Sequence, residues 1–542
     1  MAAVKMAVVT VAKKKCVAVF ANYQLKNLCR AIPGGRWNPK RRCWVYPLTP
    51  FTCKGLVDGF SGHNLTVPQE VRDCAAIAEE FLTKKHEAQA INSDLWPHQQ
   101  KALRFMQSGK IRSFLLAHDM GAGKTRTVIE FLKCRNAKKV LVIAPMSVLL
   151  AWKRQVEKYW PEMASLVRIA NKKNTKNKKI GMVREVQNFG GIFVINYESV
   201  WRDKIGETVL ATQWDAIVVD ECQKIRSHKN KVTKFCAKLH DLHQCAYRIA
   251  MSGTPIGKDC LQAFGIFRFL DAGIYGVSYG SFSKKYAVMG EFGPEYYINQ
   301  DEFKERFHWI THRVSKAEAL PFLPDQFHVE VPLELDKKSM KHYKELASEL
   351  CTEIESKKVT VQNALVKMLR LQQITSGFIH NTDLDDTIEL NSIKKDALED
   401  ILDGIDSNEP VIVFALFRHD LEAISEAAQS TGRAYMELSG QKDEWYRWQY
   451  NCNGGEVLGV QIKSGGAGVD LTRAKYCVYY SLGFSYDDYD QSLSRIHRPG
   501  QENKVTYYHL VCQKTLDKYI YKCIERKKQM VNDIMEIKEI LQ

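Results

Sequence analysis

Between residues 114 and 253 the chain holds five short, unbroken apolar runs, each ending at a small or polar residue: FLLA from 114, VLVIAP from 140, IFVIN from 192, AIVVDE from 216 and RIAMSG from 248. A run that is apolar at every position, separated from the next by helical stretches, suits a central strand covered on both faces, as in a parallel sheet. A second series follows: VIVFAL from 411, AYMEL from 434, EVLGVQI from 456 and YCVYYSL from 476. The pattern predicts two α/β lobes in tandem. Such sheets bind ligands beyond the carboxyl ends of their strands, so chemistry is sought directly after each run.

Three strings stand at such places. MGAGKT (120–125) follows the first run, DEC (220–222) the fourth, and RIHRPGQ (495–501) the last. Around Met120 and Ala122, Gly121 and Gly123 let backbone amides turn toward a phosphate with no Cβ in the way. Lys124 is placed to bridge the β- and γ-phosphates and Thr125 to put its hydroxyl on Mg2+. A helix starting there points its positive end at the same anion. The match has one irregularity, because His118 occupies the position of the first glycine in the general phosphate-loop pattern. Asp220 and Glu221 close an apolar strand facing that loop, where one acid can hold the metal and the other orient and deprotonate the attacking water. Arg495 and Arg498 are three apart and lie near one another if the segment is helical, and such arginines can stabilise charge on a transferring phosphate. A site whose arginines come from so far along the chain is expected to be complete only when the two lobes close. Upstream, LWPHQQKAL places Gln99 where an amide can read the N6/N7 edge of adenine.

Net charge is +16, and the first 50 residues carry ten Lys and Arg with no Asp or Glu. That segment predicts a polyanion partner, most simply nucleic acid. Within it Arg36, Lys40, Arg41 and Arg42 interleave with Trp37, Trp44 and Tyr46. Cations pair with phosphates and exposed rings stack on unpaired bases, whereas alternating Trp44 and Tyr46 also suit a module's own core. A strand, a short helix, a Pro-Gly-Gly turn and a second strand suggest a small α+β unit. The fifteen cysteines are scattered, with no CxxC, which predicts neither a zinc site nor a disulfide framework and points to a reducing compartment. MAVVTVA is a poor signal peptide, since its lysines follow it, and no apolar run reaches membrane-spanning length. NKKNTKNKK (171–179) is a lysine-rich loop.

With these strings in order, joined by APMSVLLAWKRQ (144–155), VINYES (194–199), MSGTPIG (251–257) and SGGAGVDLTRA (464–474), the chain resembles the Swi/Snf-type branch of superfamily-two helicases and translocases from about Leu95 to residue 530. The resemblance implies two RecA-like lobes with helical insertions, preceded by the small basic module. It assigns adenine to Gln99, phosphates and metal to Lys124 and Thr125, and hydrolysis to Asp220 and Glu221. It gives Ser252 and Thr254 the coupling of nucleotide state to nucleic acid. Gly468 and Asp470 would line the cleft from the second lobe, with Gln491, Arg495 and Arg498 completing it. Two departures are visible: DECQ has glutamine where relatives often have histidine, and Asp470 stands where asparagine is usual. The basic segment is similar to the HARP domain of annealing helicases, which recognise forked or branched DNA.

The expected layout is a module at 1–60, a linker at 61–94, a first lobe at 95–275, a bridge at 276–390 and a second lobe at 391–542. The expected activity is ATP- and Mg2+-dependent translocation on double-stranded DNA gripped by its backbone, with remodelling or annealing of forks. The alternatives are a strand-separating DNA or RNA helicase and, from another class, a nucleic-acid-binding scaffold with a vestigial ATPase. The expected setting is a monomer, away from membranes, working beside replication, repair or recombination proteins. Its compartment would be the cytoplasm in a prokaryotic or viral source and the nucleus in a eukaryote.

Overall fold

The computed structural model describes residues 3–11, 14–83, 94–256, 259–290, 293–355, 361–381, 386–452, 454–462 and 469–525. The chain divides into two units, with the boundary between Ala319 and Leu320.

The first unit begins with the basic module. Strands β1 (Ala3–Val11), β2 (Lys14–Ala21), β3 (Arg36–Asn38), β4 (Cys43–Pro47) and β5 (Asn64–Thr66) form a sheet in the order β3-β4-β2-β1-β5. Alternation of Val4 and Met6 with Lys5, and of Val17 and Val19 with Cys16, sends one face into a core shared with the helices Lys26–Ala31, Pro50–Gly59 and Gln69–Thr83. The expected linker at 61–94 therefore needs correcting. β5 pairs in parallel with β1, and Val71 and Ala75 of the following helix enter the module's core, so the module runs to Thr83. One short, largely polar strand and a helix of mixed composition carry little periodicity, and their role appears only through tertiary pairing.

The lobe that follows has strands β6 (Ser113–His118), β7 (Lys139–Ala144), β8 (Val167–Ala170), β9 (Gly191–Asn196), β10 (Ala216–Asp220) and β11 (Tyr247–Met251). A hairpin of β12 (Ala287–Gly290) and β13 (Gly293–Tyr297) stands apart, and β14 (Thr311–Val314) returns to the sheet. The result is a seven-stranded sheet in the order β14-β6-β11-β10-β7-β9-β8, with every pairing parallel. β6 and β9 are buried at all six positions, the environment their unbroken apolar runs predict.

The module is docked on this lobe at the amino-terminal edge of the sheet. Phe51 stacks on Trp309, two residues before β14, with ring centroids 5.3 Å apart. Thr49 donates to Asp271 (2.9 Å), just past the helix Ala263–Leu270, and Lys14 pairs with Asp241 at 3.1 Å. Phe81 packs edge-on against Phe105, 5.5 Å away. Burying a ring such as Phe51 contributes about 2–3 kcal/mol, so the module is held by apolar side chains that enter the lobe's core and not by charge alone.

The second unit contributes β15 (Gln326–Leu333), a small hairpin β16 (Phe378–Asn381) and β17 (Asp386–Glu389), then β18 (Val411–Ala415), β19 (Tyr435–Leu438), β20 (Val457–Gln461), β21 (Tyr476–Tyr479) and β22 (Val505–Cys512). Its six-stranded parallel sheet has the order β15-β22-β21-β18-β20-β19. Alternate residues of β18 serve two cores: Ile412 and Phe414 belong to one, Val411, Val413 and Ala415 to the other. Both faces are covered. The two units are thus tandem RecA-like α/β lobes with helical insertions, as expected. The expected bridge at 276–390 is split by the structure: β14 completes the first sheet and β15 the second, with the helices Lys337–Glu355 and Val361–Thr375 following. Among the described residues no helix is long and apolar enough to cross a membrane.

Candidate nucleotide site and nucleic-acid surfaces

The phosphate loop follows β6 and feeds the helix Lys124–Cys134. Gly121 (φ 84°) and Gly123 (φ 71°) both adopt left-handed backbone, which side-chain-bearing residues rarely do. Lys124 Nζ donates to the carbonyls of His118 (2.8 Å) and Asp119 (3.2 Å), so its ammonium is already turned back over the loop. Ala122 is buried, while Met120, Gly121, Gly123 and Thr125 are partly exposed. The irregular His118 has a structural explanation: its ring is buried between strands, with Nε2 2.8 Å from Nδ1 of His312 on β14. Burial pushes this imidazole well below its usual pKa and keeps it neutral.

The helix Pro97–Gln107 braces the loop. His98 Nε2 lies 2.8 Å from the Ala122 carbonyl, and Gln99 Nε2 donates to the Gly123 carbonyl at 3.2 Å. Gln99 Oε1 accepts from the Trp96 backbone N–H at 3.0 Å, and the residue is 1% exposed. Both ends of the amide are thus engaged within the protein. In this arrangement both ends of the Gln99 amide help to hold the loop's shape.

β10 lies one strand away from β6, so its carboxyl end stands about 10 Å across the sheet from the phosphate loop. Asp220 is 8% exposed; Oδ2 accepts from Trp152 Nε1 (2.9 Å) and Oδ1 from the Glu221 N–H (3.0 Å). The Tyr197 hydroxyl donates to the main-chain oxygens of Asp220 and Glu221. Trp152 and Tyr197 come from APMSVLLAWKRQ and VINYES, strings that marked the family without revealing that two of their rings position the acidic pair. Glu221 sits at φ 53°, ψ 56°, a left-handed conformation that costs a non-glycine residue about 1–3 kcal/mol and aims its side chain off the strand.

From Glu221 a relay of hydrogen bonds leads away. Gln223 Nε2 donates to Glu221 Oε2 (2.8 Å), Ser252 Oγ donates to Gln223 Oε1 (2.7 Å), and the Thr254 N–H donates to Ser252 Oγ (3.0 Å). Arg226 donates to the carbonyls of Thr254 and Pro255. A Cβ on Gly253 would stand 3.4 Å from the Met120 backbone nitrogen, so the Ser252–Thr254 loop abuts the phosphate loop. Gln223, the fourth residue of DECQ, is a candidate functional residue to which the sequence alone assigns no role; its departure from histidine is the signal. Gln223→Ala is expected to lower the nucleic-acid-stimulated turnover about tenfold, or ~1.4 kcal/mol, with the KM for ATP nearly unchanged. Gln223→His, able to donate and accept at the same two partners, should recover most of it. Steady-state ATPase with and without DNA reads both.

Burial first, then the neighbouring Glu221 carboxylate, pushes the Asp220 carboxyl up to about 7. Its folded value lies above its unfolded one, so its contribution to stability is full below about pH 4 and is lost as pH rises through about 7. Without metal or nucleotide, the melting-temperature advantage of wild type over Asp220→Ala should therefore shrink between about pH 4 and 7. An advantage that grows with pH would instead mark an ordinary stabilised carboxylate. A buried Asp220 carboxyl raised in this way, with the Glu221 carboxylate beside it, fits a divalent cation. Among the described residues no group of three or more His, Cys, Asp or Glu is arranged to hold a metal. One or two carboxylates completed by phosphate oxygens is the habit of Mg2+.

In the second unit the helix Tyr486–Ile496 carries Gln491 and Arg495 one turn apart. Arg495 is buried and its carbonyl accepts from the Leu471 N–H at 3.1 Å. The helix ends at Ile496, and His497 leaves helical geometry (φ −88°, ψ 82°). Arg498 therefore lies on the following turn, a correction to the expected helical pairing of the two arginines. It is half-buried, with Nε 4.0 Å from Asp470 Oδ2. Asp470 is itself oriented, accepting from the Thr472 N–H (3.0 Å) and hydroxyl (2.8 Å), and its carbonyl takes Trp445 Nε1 (2.7 Å). Gly468 lies outside the described residues.

On the module, Arg36, Trp37, Lys40, Arg41 and Arg42 all fall on the β3–β4 hairpin and are exposed, Trp37 at 50%. Tyr46 is fully buried, its hydroxyl donating to the Cys29 carbonyl (2.7 Å), and Trp44 is half-buried, 5.8 Å from Trp37. Of the three rings, then, Tyr46 belongs to the core and Trp37 is displayed. Arg36 reaches the Val277 carbonyl (3.5 Å) and Arg41 that of Thr10 (3.3 Å).

Known proteins resemble this chain along most of its length. Residues 98–377 match the SNF2-related domain and residues 393–500 the helicase conserved C-terminal domain. An uncharacterized ATP-dependent helicase of Mycoplasma pneumoniae is 24% identical over 455 residues, covering 80% of this chain and 42% of that protein. The CHD3-type chromatin-remodeling factor PICKLE of Arabidopsis thaliana is 22% identical, covering 83% of this chain and 35% of its own length. The chain thus spans less than half the length of these relatives. Among solved structures, the Sulfolobus solfataricus SWI2/SNF2 ATPase core in complex with dsDNA is 24% identical with a TM-score of 0.38, covering 83% of this chain and 94% of that one. With the SNF2-related domain spanning more than half of its residues, the chain belongs to the SNF2-related family.

Proposed function

We propose that this protein is a DNA-dependent ATPase that converts hydrolysis into movement along double-stranded DNA. The observation that carries this reading is the continuous hydrogen-bonded path Glu221–Gln223–Ser252–Thr254, which starts at the acid beside the phosphate loop and abuts that loop again at Met120. Lys124 and the loop amides bind the phosphates of ATP, and Thr125 and Asp220 hold Mg2+, which neutralises phosphate charge when bound. Glu221 orients the attacking water and takes its proton, fixed in position by Gln223. Arg498 stabilises the charge that develops on the γ-phosphate. Ser252 and Thr254 report the state of Glu221 to the surface that grips DNA, so nucleotide and DNA affinity become linked.

The finer reading is a motor for forked or branched DNA. The basic hairpin 36–42 belongs to a module docked at the amino-terminal edge of the first sheet, whereas the phosphate loop and Asp220 stand at its carboxyl edge. A duplex arm held by the hairpin is thereby separate from one engaged near the nucleotide, which suits a junction. Arg36, Lys40 and Arg42 supply phosphate contacts and Trp37 a stacking surface. Replacing Trp37, Lys40 and Arg42 by Ala should lower the apparent affinity for forked DNA about tenfold, or ~1.4 kcal/mol, and leave duplex-stimulated turnover within about twofold. Equal loss on forks and plain duplex would reduce the module to a general electrostatic arm.

A further inference from the structure

The phosphate loop is fastened to a segment that the nucleotide chemistry does not use. Residues 314–319 run from the end of β14 to the boundary of the first unit. Asp119, between β6 and the MGAGKT string, bonds to this segment twice. Its N–H donates to the Val314 carbonyl (3.0 Å), and its Oδ2 accepts from the Lys316 N–H (2.8 Å). Lys316 opens the helix Lys316–Ala319, a position whose N–H has no partner within the helix. Ser315 caps that helix. Its N–H and hydroxyl donate to Glu318 Oε2 (2.8 and 2.9 Å), and its Oγ accepts from the Glu318 N–H (3.3 Å). The segment therefore has a fixed shape, and Ala319 at its end is buried. Beneath the loop, ring nitrogens of His118 and His312 lie 2.8 Å apart, in the register that sets His118 beside Val314. Strands so joined and close-packed move together, and a displacement of residues 118 and 119 is passed to residues 314–316.

Nucleotide gives the loop a reason to move. Lys124 Nζ donates to the carbonyls of His118 and Asp119. An ammonium drawn to the β- and γ-phosphates gives those carbonyls up. Asp119 then loses the lysine on the loop side and keeps both bonds on the other. Resting on the reading of the chain as a DNA-driven motor, we propose that Asp119 is a positioning residue whose carboxylate, through the Lys316 N–H, conveys occupancy of the γ-phosphate site to the segment leading out of the first lobe. It acts through the backbone of another residue and not on the reacting atoms. What it sets is the coupling between ATP turnover and DNA, a free energy shared by two sites.

The donor is a main-chain N–H, so proline and alanine at residue 316 separate the bond from the side chain. The test is steady-state ATPase of the full chain across a range of ATP, with and without duplex DNA, with melting temperatures measured alongside. K316P removes the N–H at the first helical position, where proline's fixed φ is tolerated, and K316A keeps it. D119A removes the acceptor without altering residues 314–316, and D119N keeps a carbonyl oxygen there. K316P and D119A should each lower the stimulation of kcat by duplex about tenfold, with the KM for ATP within about twofold of wild type. K316P should also keep the DNA-free rate within about twofold. K316A and D119N should retain most of the stimulation. D119A/K316P should be no worse than either single variant, because both remove the same bond. The two variants reach that bond from opposite sides, so either one that folds decides the question. Undiminished stimulation in a folded K316P or D119A overturns the proposal, even where its melting temperature falls, because Asp119 is then only a structural cap. An equal loss in K316A also overturns it, by placing the effect on the lysine side chain. A wild type that duplex does not stimulate would overturn the motor reading together with this coupling, whereas a stimulated wild type with an unaffected D119A overturns the coupling alone.

Discussion

Lys124→Ala is expected to reduce ATP turnover by at least about 1,000-fold, a loss of ~4 kcal/mol or more, while duplex binding stays within about twofold. The expectation follows from what holds the loop in place. Its curvature comes from the left-handed Gly121 and Gly123, and its position comes from His98 on the Ala122 carbonyl and Gln99 on the Gly123 carbonyl. None of these depends on the lysine. Lys124 Nζ contacts only loop carbonyls on the described side, so its removal empties a charge from the phosphate site without unpinning the loop. Turnover measured by phosphate release, with duplex affinity measured in parallel, separates the roles. If both fall together, the lysine is a structural clamp.

Arg498→Ala is the second large effect: nucleotide affinity within about threefold of wild type and hydrolysis slower by about 100- to 10,000-fold, the range over which a γ-phosphate arginine acts. Arg495→Ala would be harder to interpret, because Arg495 is buried at the end of its helix and its segment holds Leu471 through the backbone. Arg498 stands past the helix end, half-buried, 4.0 Å from Asp470. Arg498→Lys should rescue little, since a point charge lacks the planar fork that spans two phosphate oxygens. Single-turnover hydrolysis with prebound ATP distinguishes loss of chemistry from loss of binding.

The catalytic strings were legible because the chemistry admits few residues. A phosphate loop needs glycine where φ is positive, and Gly121 and Gly123 show the reason. The strands were legible because a sheet covered on both faces favours apolar side chains through the middle of each strand, as in β6, β9 and β10. What the sequence left hidden depends on long-range pairing. β5, β14 and β15 are short or exposed strands whose partners lie 61, 196 and 179 residues away in register, and nothing local marks them. The bracing of the phosphate loop by Gln99 is hidden because an amide's partners are invisible in sequence: here both are protein backbone. Arg498 was placed on a helix that stops two residues earlier, at a C-cap that His497 does not advertise as glycine would. Gln223 escaped notice because its value lies in joining Glu221 to Ser252, residues that approach only when β10 and β11 pair.

The central claim is that DNA drives ATP hydrolysis here, and one measurement addresses it most directly: the steady-state ATPase rate of the full chain with no nucleic acid, single-stranded DNA, duplex DNA, forked DNA and RNA. The account predicts strong stimulation by duplex and more by forks. Stimulation by single strands or RNA alone, or a rate indifferent to every nucleic acid, would contradict it.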